Sequence, residues 1–310
     1  MTKHGNKTPR ILCAGGAVQD IVMRVDQFPA AGSKVQASEF LITSGGQAGN
    51  AAVAVARLGG NVSYLGYLGD KNDEVANRII KTFEDENIDV SGAIRVPGAS
   101  SSVSLILIDG AGEKMIATRR DKGLGQSEPS AADAAAAVAD ADAVVLDNRY
   151  ANVGLPVCQA AKGRGIPRVL DLDKPAPPDD PLVAGCTHVI SSAESMRDST
   201  GLKDLSAALL KYGEIYQGFL AVTDGPDGVY WRDGGKVHHM PAHRVEVVDT
   251  LGAGDTFHGA FALRLVETGD EVEAMRFASA AAAIKCTRFG GLMGAATRDE
   301  VEAFLEKHQA

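Results

Sequence analysis

The sequence lacks a continuous run of about 20 apolar residues, which a membrane-spanning helix requires, so we expect no membrane segment. It also lacks an excess of basic residues, since the formal net charge is −9 over 310 residues. A nucleic-acid surface needs a stripe of lysine and arginine, so the composition argues against nucleic acid as a partner. An anionic small molecule is still compatible, because a few local basic residues suffice to bind it.

Cysteine is scarce and scattered along the chain. The cysteines form no Cys-x-x-Cys pair and show no metal-ligand spacing with histidine, which excludes a disulfide scaffold and a zinc site. We interpret them as reduced, mostly buried thiols. Residues 1–10 are polar and lack the apolar core of a secretory signal, so we expect a cytoplasmic protein. The four cysteines are Cys13, Cys158, Cys186 and Cys286.

What is present is enough apolar sequence, 45% of the residues, for one large domain. Short continuous apolar runs alternate with helical segments, which is typical of a parallel sheet covered by helices on both faces. The predicted strands of this kind are 11–16, 143–147, 168–173, 189–191 and 219–223. A second group, segment 21–40 and the hairpin strands 102–108 and 114–118, should project from this sheet.

The most informative stretch is residues 248–257, a glycine-rich turn that runs into an apolar-periodic helix predicted from Thr256 onward. Free N–H groups at a helix start can hold a phosphate or a developing oxyanion, here with the amides of Gly252, Ala253 and Gly254. Asp255 within this turn is placed to accept a proton from a hydroxyl nucleophile. A plainer interpretation is an ordinary helix start with Asp255 as a cap. The Lys-Ser/Thr pair of a P-loop is missing.

The string from Asp249 to Phe257, Asp-Thr-Leu-Gly-Ala-Gly-Asp-Thr-Phe, resembles the C-terminal signature of the PfkB (ribokinase-like) carbohydrate kinases. Segments 44–50, 56–59 and 64–70 resemble the family's N-terminal signature. The resemblance implies a three-layer, doubly wound, mostly parallel α/β sheet with a small β-sheet lid. It implies one kinase domain over 1–310, a lid from about 21–40 and 98–120, and ATP with Mg²⁺.

The resemblance also implies roles for individual residues. Asp255 would be the base, and the amides of Gly252, Ala253 and Gly254 would form the anion hole. Glu194 would act on Mg²⁺ through water; the asparagine of the family's Asn-x-x-Glu motif is replaced here by Ser191. The residues expected to contact the sugar are Asp20, Gly45, Gly46 and Asn50. Those expected to contact ATP are Ser191, Glu194, Thr223, Gly225, Gly228 and Gly254.

Two further implications concern a cation and a partner. The family commonly places a monovalent cation, K⁺, behind the anion hole, and many of its members dimerise through the lid. The positions matching the cation site are Asp249, Leu251, Arg288 and Gly290. We therefore expect a homodimer joined through the lid.

The substrate is a sugar whose identity the motifs leave open. Segments 257–260, 276–279 and 285–288 look closest to the bacterial sulfofructose kinases, and the 247–257 run also resembles ketohexokinases. Lys34 and Arg149 match sulfonate-binding positions, whereas the third position holds Thr118 instead of asparagine, followed by Arg119 and Arg120. This predicts phosphorylation of a primary hydroxyl of a ketose, including 6-deoxy-6-sulfofructose. The alternatives are a neutral-sugar kinase (fructokinase or ribokinase), a nucleoside kinase, and a non-catalytic sugar or nucleotide sensor.

Overall fold

The computed structural model describes residues 7–126 and 128–308, and it has the expected α/β architecture. The strands are β1 (Arg10–Ala14), β2 (Val18–Arg24), β3 (Glu39–Gly45), β4 (Asn61–Leu68), β5 (Asp89–Arg95), β6 (Ser102–Ile108), β7 (Lys114–Arg119), β8 (Ala143–Asp147), β9 (Arg168–Leu172), β10 (His188–Ser192), β11 (Phe219–Thr223), β12 (Val229–Asp233) and β13 (Lys236–Met240). The helices are α1 (Gln47–Arg57), α2 (Glu74–Asp85), α3 (Ala131–Val138), α4 (Ala151–Arg164), α5 (Pro181–Gly185), α6 (Ala193–Thr200), α7 (Leu205–Tyr212), α8 (Ala253–Thr268), α9 (Glu271–Cys286) and α10 (Arg298–Lys307).

Within the described ranges, nine strands form the main sheet in the order β13-β12-β11-β10-β9-β8-β1-β4-β5. The strands β11, β10, β9, β8, β1, β4 and β5 are parallel to one another. Strand β12 pairs antiparallel with β11, and β13 pairs antiparallel with β12. Every residue of β8 and β9 is buried, because helices cover both faces of the sheet. The expectation of a doubly wound, mostly parallel sheet is confirmed.

Two apolar cores lie on the two faces of the main sheet. Helices α1, α2, α8, α9 and α10 cover one face, where Phe83, Phe261 and Phe277 are buried. Helices α3 to α7 cover the other face, where Leu170 and Tyr212 are buried. The molecule therefore has the predicted helix–sheet–helix layers.

The second sheet has four strands in the described residues, in the order β3-β2-β6-β7, and it is the expected lid. Strand β2 pairs antiparallel with β3 and parallel with β6. The lid strands span 18–45 and 102–119, so the first predicted segment, 21–40, was too short at both ends. Val22, Ile106 and Ile108 pack against Leu251, which lies just before α8. The lid is thereby attached to the turn that carries Asp255.

The start of α8 differs from the sequence prediction, whereas the state of the cysteines agrees with it. Helix α8 begins at Ala253 and not at Thr256, because the Gly-Ala-Gly segment already continues into the first helical turn. Cys13, Cys158 and Cys186 are buried, Cys286 is partly buried, and all four are free thiols, as expected. Between residues 7 and 308, Ser127 aside, no helix is long and apolar enough to cross a bilayer. The predicted absence of a signal segment concerns residues 1–10, of which 1–6 lie outside the described residues.

Candidate active site

Asp255 lies in the first turn of α8, at the edge where the parallel strands end. Its Oδ2 accepts a hydrogen bond of 2.6 Å from Asn50 Nδ2 in the first turn of α1. Asn50 is the fourth residue of α1, which starts at Gln47. Burial raises the pKa of Asp255, and the Asn50 hydrogen bond and the nearby His258 oppose that rise. Two helix starts therefore meet at one carboxylate.

The amides around Asp255 differ in availability. Gly252 has a φ of 76°, the left-handed region that favours glycine, which turns the chain into α8. The Ala253 amide donates to the Thr250 carbonyl at 3.3 Å, so this predicted anion-hole donor is already used in a turn. Gly252 and Gly254 have no such backbone bond in the described chain, and an added Cβ on Gly254 would meet only open space. These two amides remain as candidate oxyanion donors.

Asp20 reaches the same crevice from the lid strand β2. Asp20, Ser104 and Thr118 are cross-strand neighbours in β2, β6 and β7, so they lie in one row across the sheet. The hydroxyls of Ser104 and Thr118 lie 2.9 Å apart. Burial, together with the Asp255 charge, raises the pKa of Asp20 to about 7, and the Ser104 hydroxyl opposes the rise. The row offers hydrogen-bonding groups on the lid side of the crevice.

The predicted sugar-binding glycines are explained by close packing beside Asp20. A Cβ added to Gly45 would lie 1.9 Å from Asp20 Oδ2, so any other residue would displace the carboxylate. Gly46 caps α1 with a φ of 86°, and its added Cβ would lie 2.6 Å from the Gly16 carbonyl oxygen. Both glycines thus let three chain segments converge at the crevice.

Two further buried carboxylates line this edge and were missed as site residues by the sequence interpretation. Asp147 ends β8 and accepts hydrogen bonds from the amides of Gly16 at 2.6 Å and Tyr150 at 3.0 Å. Burial raises the pKa of Asp147 to about 6, although these two amides oppose the rise. Asp171 on β9 accepts a hydrogen bond of 3.0 Å from Gln47 Nε2, and burial raises its pKa to about 7. The available signal was an aspartate near the end of each of two predicted parallel strands.

His258, one turn after Asp255 on α8, lies beneath these carboxylates. Its Nδ1 lies 2.7 Å from the Gly254 carbonyl oxygen, and its Nε2 lies 3.2 Å from the Ile190 carbonyl oxygen. Carbonyl oxygens only accept hydrogen bonds, so a ring nitrogen that carries hydrogen can donate to the carbonyl beside it. Its Nε2 is also 3.7 Å from Asp171 Oδ1. His258 therefore lies between the first turn of α8, strand β10 and Asp171 of β9.

The predicted nucleotide residues lie at the ends of β10 and β11. Glu194 is exposed in the first turn of α6, and Thr223 ends β11 with its hydroxyl 3.5 Å from the Ser191 carbonyl oxygen. Gly225 is open to solvent space, whereas an added Cβ on Gly228 would lie 2.1 Å from the Met240 carbonyl oxygen. Gly228 therefore serves the contact between the β11–β12 turn and the end of β13.

The prediction that Ser191 contacts ATP requires a correction. Its side chain is fully buried, and its hydroxyl lies 3.2 Å from the Leu172 carbonyl oxygen and 2.9 Å from the Ser192 carbonyl oxygen, so its one proton is donated to one of the two. The hydroxyl therefore lies next to the backbone of the neighbouring strand β9. Its hydroxyl is therefore used inside the sheet.

The predicted basic residues are distributed around the rim. Arg149 follows β8 and its Nε forms an ion pair with Asp173. The Arg120 guanidinium stacks 4.3 Å above the Tyr150 ring and donates to the Arg149 carbonyl at 3.4 Å. Lys34 is exposed in the connection between β2 and β3, and Arg119 pairs with Asp121 at 3.4 Å. Arg120 and Arg149 thus share one corner beside Asp147.

Asp249, one of the positions that match the cation site, lies directly before the turn that contains Gly252 and Gly254. Asp249 Oδ1 accepts a hydrogen bond from the Leu251 amide at 2.7 Å, and Oδ2 accepts one from the Gly290 amide at 2.9 Å. The Arg288 side chain pairs with Glu300 at 3.2 Å, whereas the cation prediction for Arg288 concerns its backbone carbonyl and stays a prediction. The structure therefore brings Asp249, Leu251 and Gly290 together.

Comparisons with known proteins agree with this geometry. The model of the pfkB family of carbohydrate kinases matches residues 8–297. The ribokinase of Bacillus subtilis (strain 168) is 29% identical over 308 residues, covering 96% of this chain and 99% of the ribokinase. A solved structure from Agrobacterium tumefaciens, proposed to be a ribokinase, is 38% identical, has a TM-score of 0.90 and covers 98% of this chain and 100% of its own. The ribokinase of Arabidopsis thaliana, solved with ribose and ATP, is 24% identical with a TM-score of 0.82, covers 97% of this chain and 99% of its own, and shows the shared fold.

Proposed function

The chain belongs to the pfkB family of carbohydrate kinases, and we propose that it transfers the γ-phosphate of ATP to a primary hydroxyl of a ketose. As a family member it is an ATP-dependent kinase of the ribokinase type, for a sugar or a nucleoside. The observation that carries the proposal is Asp255, a carboxylate held by Asn50 at the start of α8 between the free amides of Gly252 and Gly254.

Asp255 would act as the general base of a direct in-line transfer. Its carboxylate accepts the proton of the attacking sugar hydroxyl, whose oxygen bonds to the γ-phosphorus while the bond to the bridging β,γ-oxygen breaks. The amides of Gly252 and Gly254, with the positive end of α8, stabilise the negative charge on the transferred group. Asp20 and the hydroxyls of Ser104 and Thr118 would orient the sugar from the lid.

The nucleotide would lie on the side of the crevice formed by β10 and β11. Thr223 and Gly225 would line the phosphates there, since both lie at the carboxyl end of the sheet. Glu194 has an exposed carboxylate at the start of α6, which fits a magnesium ion held through its water shell. Mg²⁺ bound to the triphosphate would neutralise part of its charge.

The test of the proposed base is Asp255→Asn. We expect kcat to fall by at least about 100-fold, because no group remains to accept the hydroxyl proton. The melting temperature should stay the same or rise, because a partly buried charge is removed while Asn50 keeps an acceptor. The measurement is ATP consumption with a panel of neutral, phosphorylated, carboxylated and sulfonated sugars.

Asp270→Asn is the matched control, because Asp270 caps the neighbouring helix α9 outside the crevice and asparagine also caps well. Its kcat should match that of the wild type. Turnover of the Asp255→Asn variant at the wild-type rate would exclude the assigned role of Asp255. Absence of turnover by the wild type with every sugar, with the fold intact, would exclude the ketose as substrate. The same assay with nucleosides would then separate a nucleoside kinase from a non-catalytic sensor.

A second candidate for the substrate is an anionic ketose such as 6-deoxy-6-sulfofructose. The observation that favours it is the corner where Arg120 and Arg149 meet, with Asp173 as a nearby carboxylate partner. Two guanidinium groups there could bind a sulfonate, and the exposed Lys34 on the lid could approach it. The buried carboxylates of the crevice favour neutral hydroxyl-rich sugars, such as fructose or ribose. Anionic and neutral sugars would therefore differ in the contacts made by the end of the sugar that is remote from the phosphorylated hydroxyl.

Lys34→Ala and Arg149→Ala separate these two classes. If the tail is anionic, each change should raise KM for the acidic ketose by about tenfold or more and change KM for fructose little, because a charged contact is lost. Arg10→Ala is the matched control, since Arg10 is an arginine that begins β1, at the opposite end of the sheet from the crevice, and lies 3.9 Å from Asp140. Equal effects on both sugars would exclude the anionic-tail candidate and favour the neutral-sugar kinase.

A further inference from the structure

A lysine lies buried directly behind the anion-hole turn. Lys285, in the last turn of α9, has no solvent exposure, and Asp249 is 1% exposed. Lys285 Nζ donates to the Asp249 carbonyl oxygen at 2.7 Å and lies 3.1 Å from Asp249 Oδ2. Lysine side chains are rarely buried completely unless a carboxylate pairs with them. The burial of Lys285 therefore depends on its pairing with Asp249.

The same carboxylate joins two loops. Asp249 Oδ1 accepts from the Leu251 amide at 2.7 Å, and Oδ2 accepts from the Gly290 and Gly291 amides at 2.9 and 3.1 Å. The turn leading to Gly252 and the loop after α9 are therefore held by one ion pair and its hydrogen bonds. Lys285 supplies the positive charge at the centre of this arrangement.

These residues do not fit a free monovalent cation. The Asp249 carbonyl oxygen, one of the groups that would bind such an ion, already accepts from Lys285. The Asp249 carboxylate is engaged by backbone amides and the ammonium group together. A second cation within a few ångströms would be repelled by the ammonium group, since water does not screen charges at this depth. Burial lowers the pKa of Lys285, and the Asp249 carboxylate opposes that fall.

We propose that Lys285 is a built-in monovalent cation, a positioning residue that replaces K⁺ and makes the protein independent of added monovalent ions. It acts through Asp249 on the Leu251–Gly252 turn and not on the substrate itself. The proposal rests on the proposed kinase activity for its rate measurements, whereas its stability measurements are independent of that activity.

The first test compares the wild type in potassium chloride and in tetramethylammonium chloride at equal ionic strength of about 100 mM, which keeps screening constant. We expect kcat and the melting temperature to be the same in both salts. Activation by K⁺ of more than about fivefold, or a K⁺-specific rise in melting temperature, would overturn the proposal.

The second test uses Lys285→Ala, which opens space beside Asp249. In tetramethylammonium chloride we expect a melting temperature lower by on the order of 10 °C and a kcat lower by about tenfold, because a buried carboxylate loses its partner. Potassium chloride should restore part of both, because K⁺ can then enter. Lys307→Ala, at the end of α10, is the control for loss of a lysine elsewhere and should show no such salt dependence.

If Lys285→Ala does not fold, Lys285→Gln replaces it, since the amide fills the space and can still donate to the Asp249 carbonyl. We expect a lower kcat that K⁺ does not restore. Wild-type kcat in either variant without K⁺ would overturn the proposal. If the wild type phosphorylates no sugar but the Lys285→Ala variant is stabilised by K⁺ alone, the proposed function fails and the cation replacement stands.

Discussion

At the scale of single residues, Asp20 combines burial with a charge. Its pKa is raised to about 7, so the folded protein holds its proton more tightly than the unfolded chain does. A raised carboxyl pKa contributes stability that is fully present below the unfolded pKa, about 4, and is lost as the pH rises through about 7. Ionised Asp20 therefore destabilises the ligand-free protein above neutral pH.

Asp20→Asn should remove this penalty. We expect the variant to melt higher than the wild type at pH 8, by on the order of 5 °C, and at nearly the same temperature at about pH 4 and below. Thermal melts across this pH range provide the measurement. Asp26→Asn, an exposed aspartate in the same lid, is the control and should match the wild type throughout. A constant Asp20→Asn difference across the pH range would contradict the raised pKa.

At the scale of elements, the sequence predicted the parallel strands better than their surroundings. Strands β8 to β11 are short apolar runs buried on both faces, and such runs are recognisable without any knowledge of neighbours. The start of α8 was placed three residues late, because glycine weakens a helix prediction even where it lies in the first turn. Helix α10 and strand β13 were not predicted from the sequence.

The lid shows where prediction from sequence stops. Its strands were identified, but the parallel pairing of β2 with β6 joins segments far apart in the chain, and local pattern does not specify such pairing. The row from Asp20 through Ser104 to Thr118 exists only because of that pairing.

The interior of the site shows the same limit. Asp255 followed from its motif, whereas the inward direction of Lys285 and the burial of Ser191 depend on tertiary packing. A lysine near the end of a helix is ordinarily a solvated residue, so the sequence alone favours the wrong interpretation of Lys285.

At the scale of the whole molecule, the outer face of the lid is an apolar surface. Cross-strand pairs place Ile21 beside Ile42 and Leu105, and Met23 beside Phe40. Phe40 is 60% exposed and Leu105 is 55% exposed. A contiguous exposed apolar face is typical of an interaction surface, and a second copy of the chain can cover it by two-fold symmetry. This supports the expected homodimer through the lid, which remains a prediction.

Leu105→Glu tests this association. Sedimentation should show a dimer for the wild type and a monomer for the variant, because an unpaired charge would be buried in the apolar contact. The melting temperature of the monomeric variant should differ little from that of the wild type, since Leu105 belongs to neither core of the main sheet. Ile215→Glu, a change at an equally exposed apolar residue outside the lid, is the control and should leave the dimer intact. A wild type that sediments as a monomer, or a Leu105→Glu variant that stays dimeric, would show that the lid face is not the contact.

A monomeric variant with unchanged kcat would show further that each chain carries a complete crevice. We expect this result because Asp20 and Asp255 of the crevice belong to the same chain.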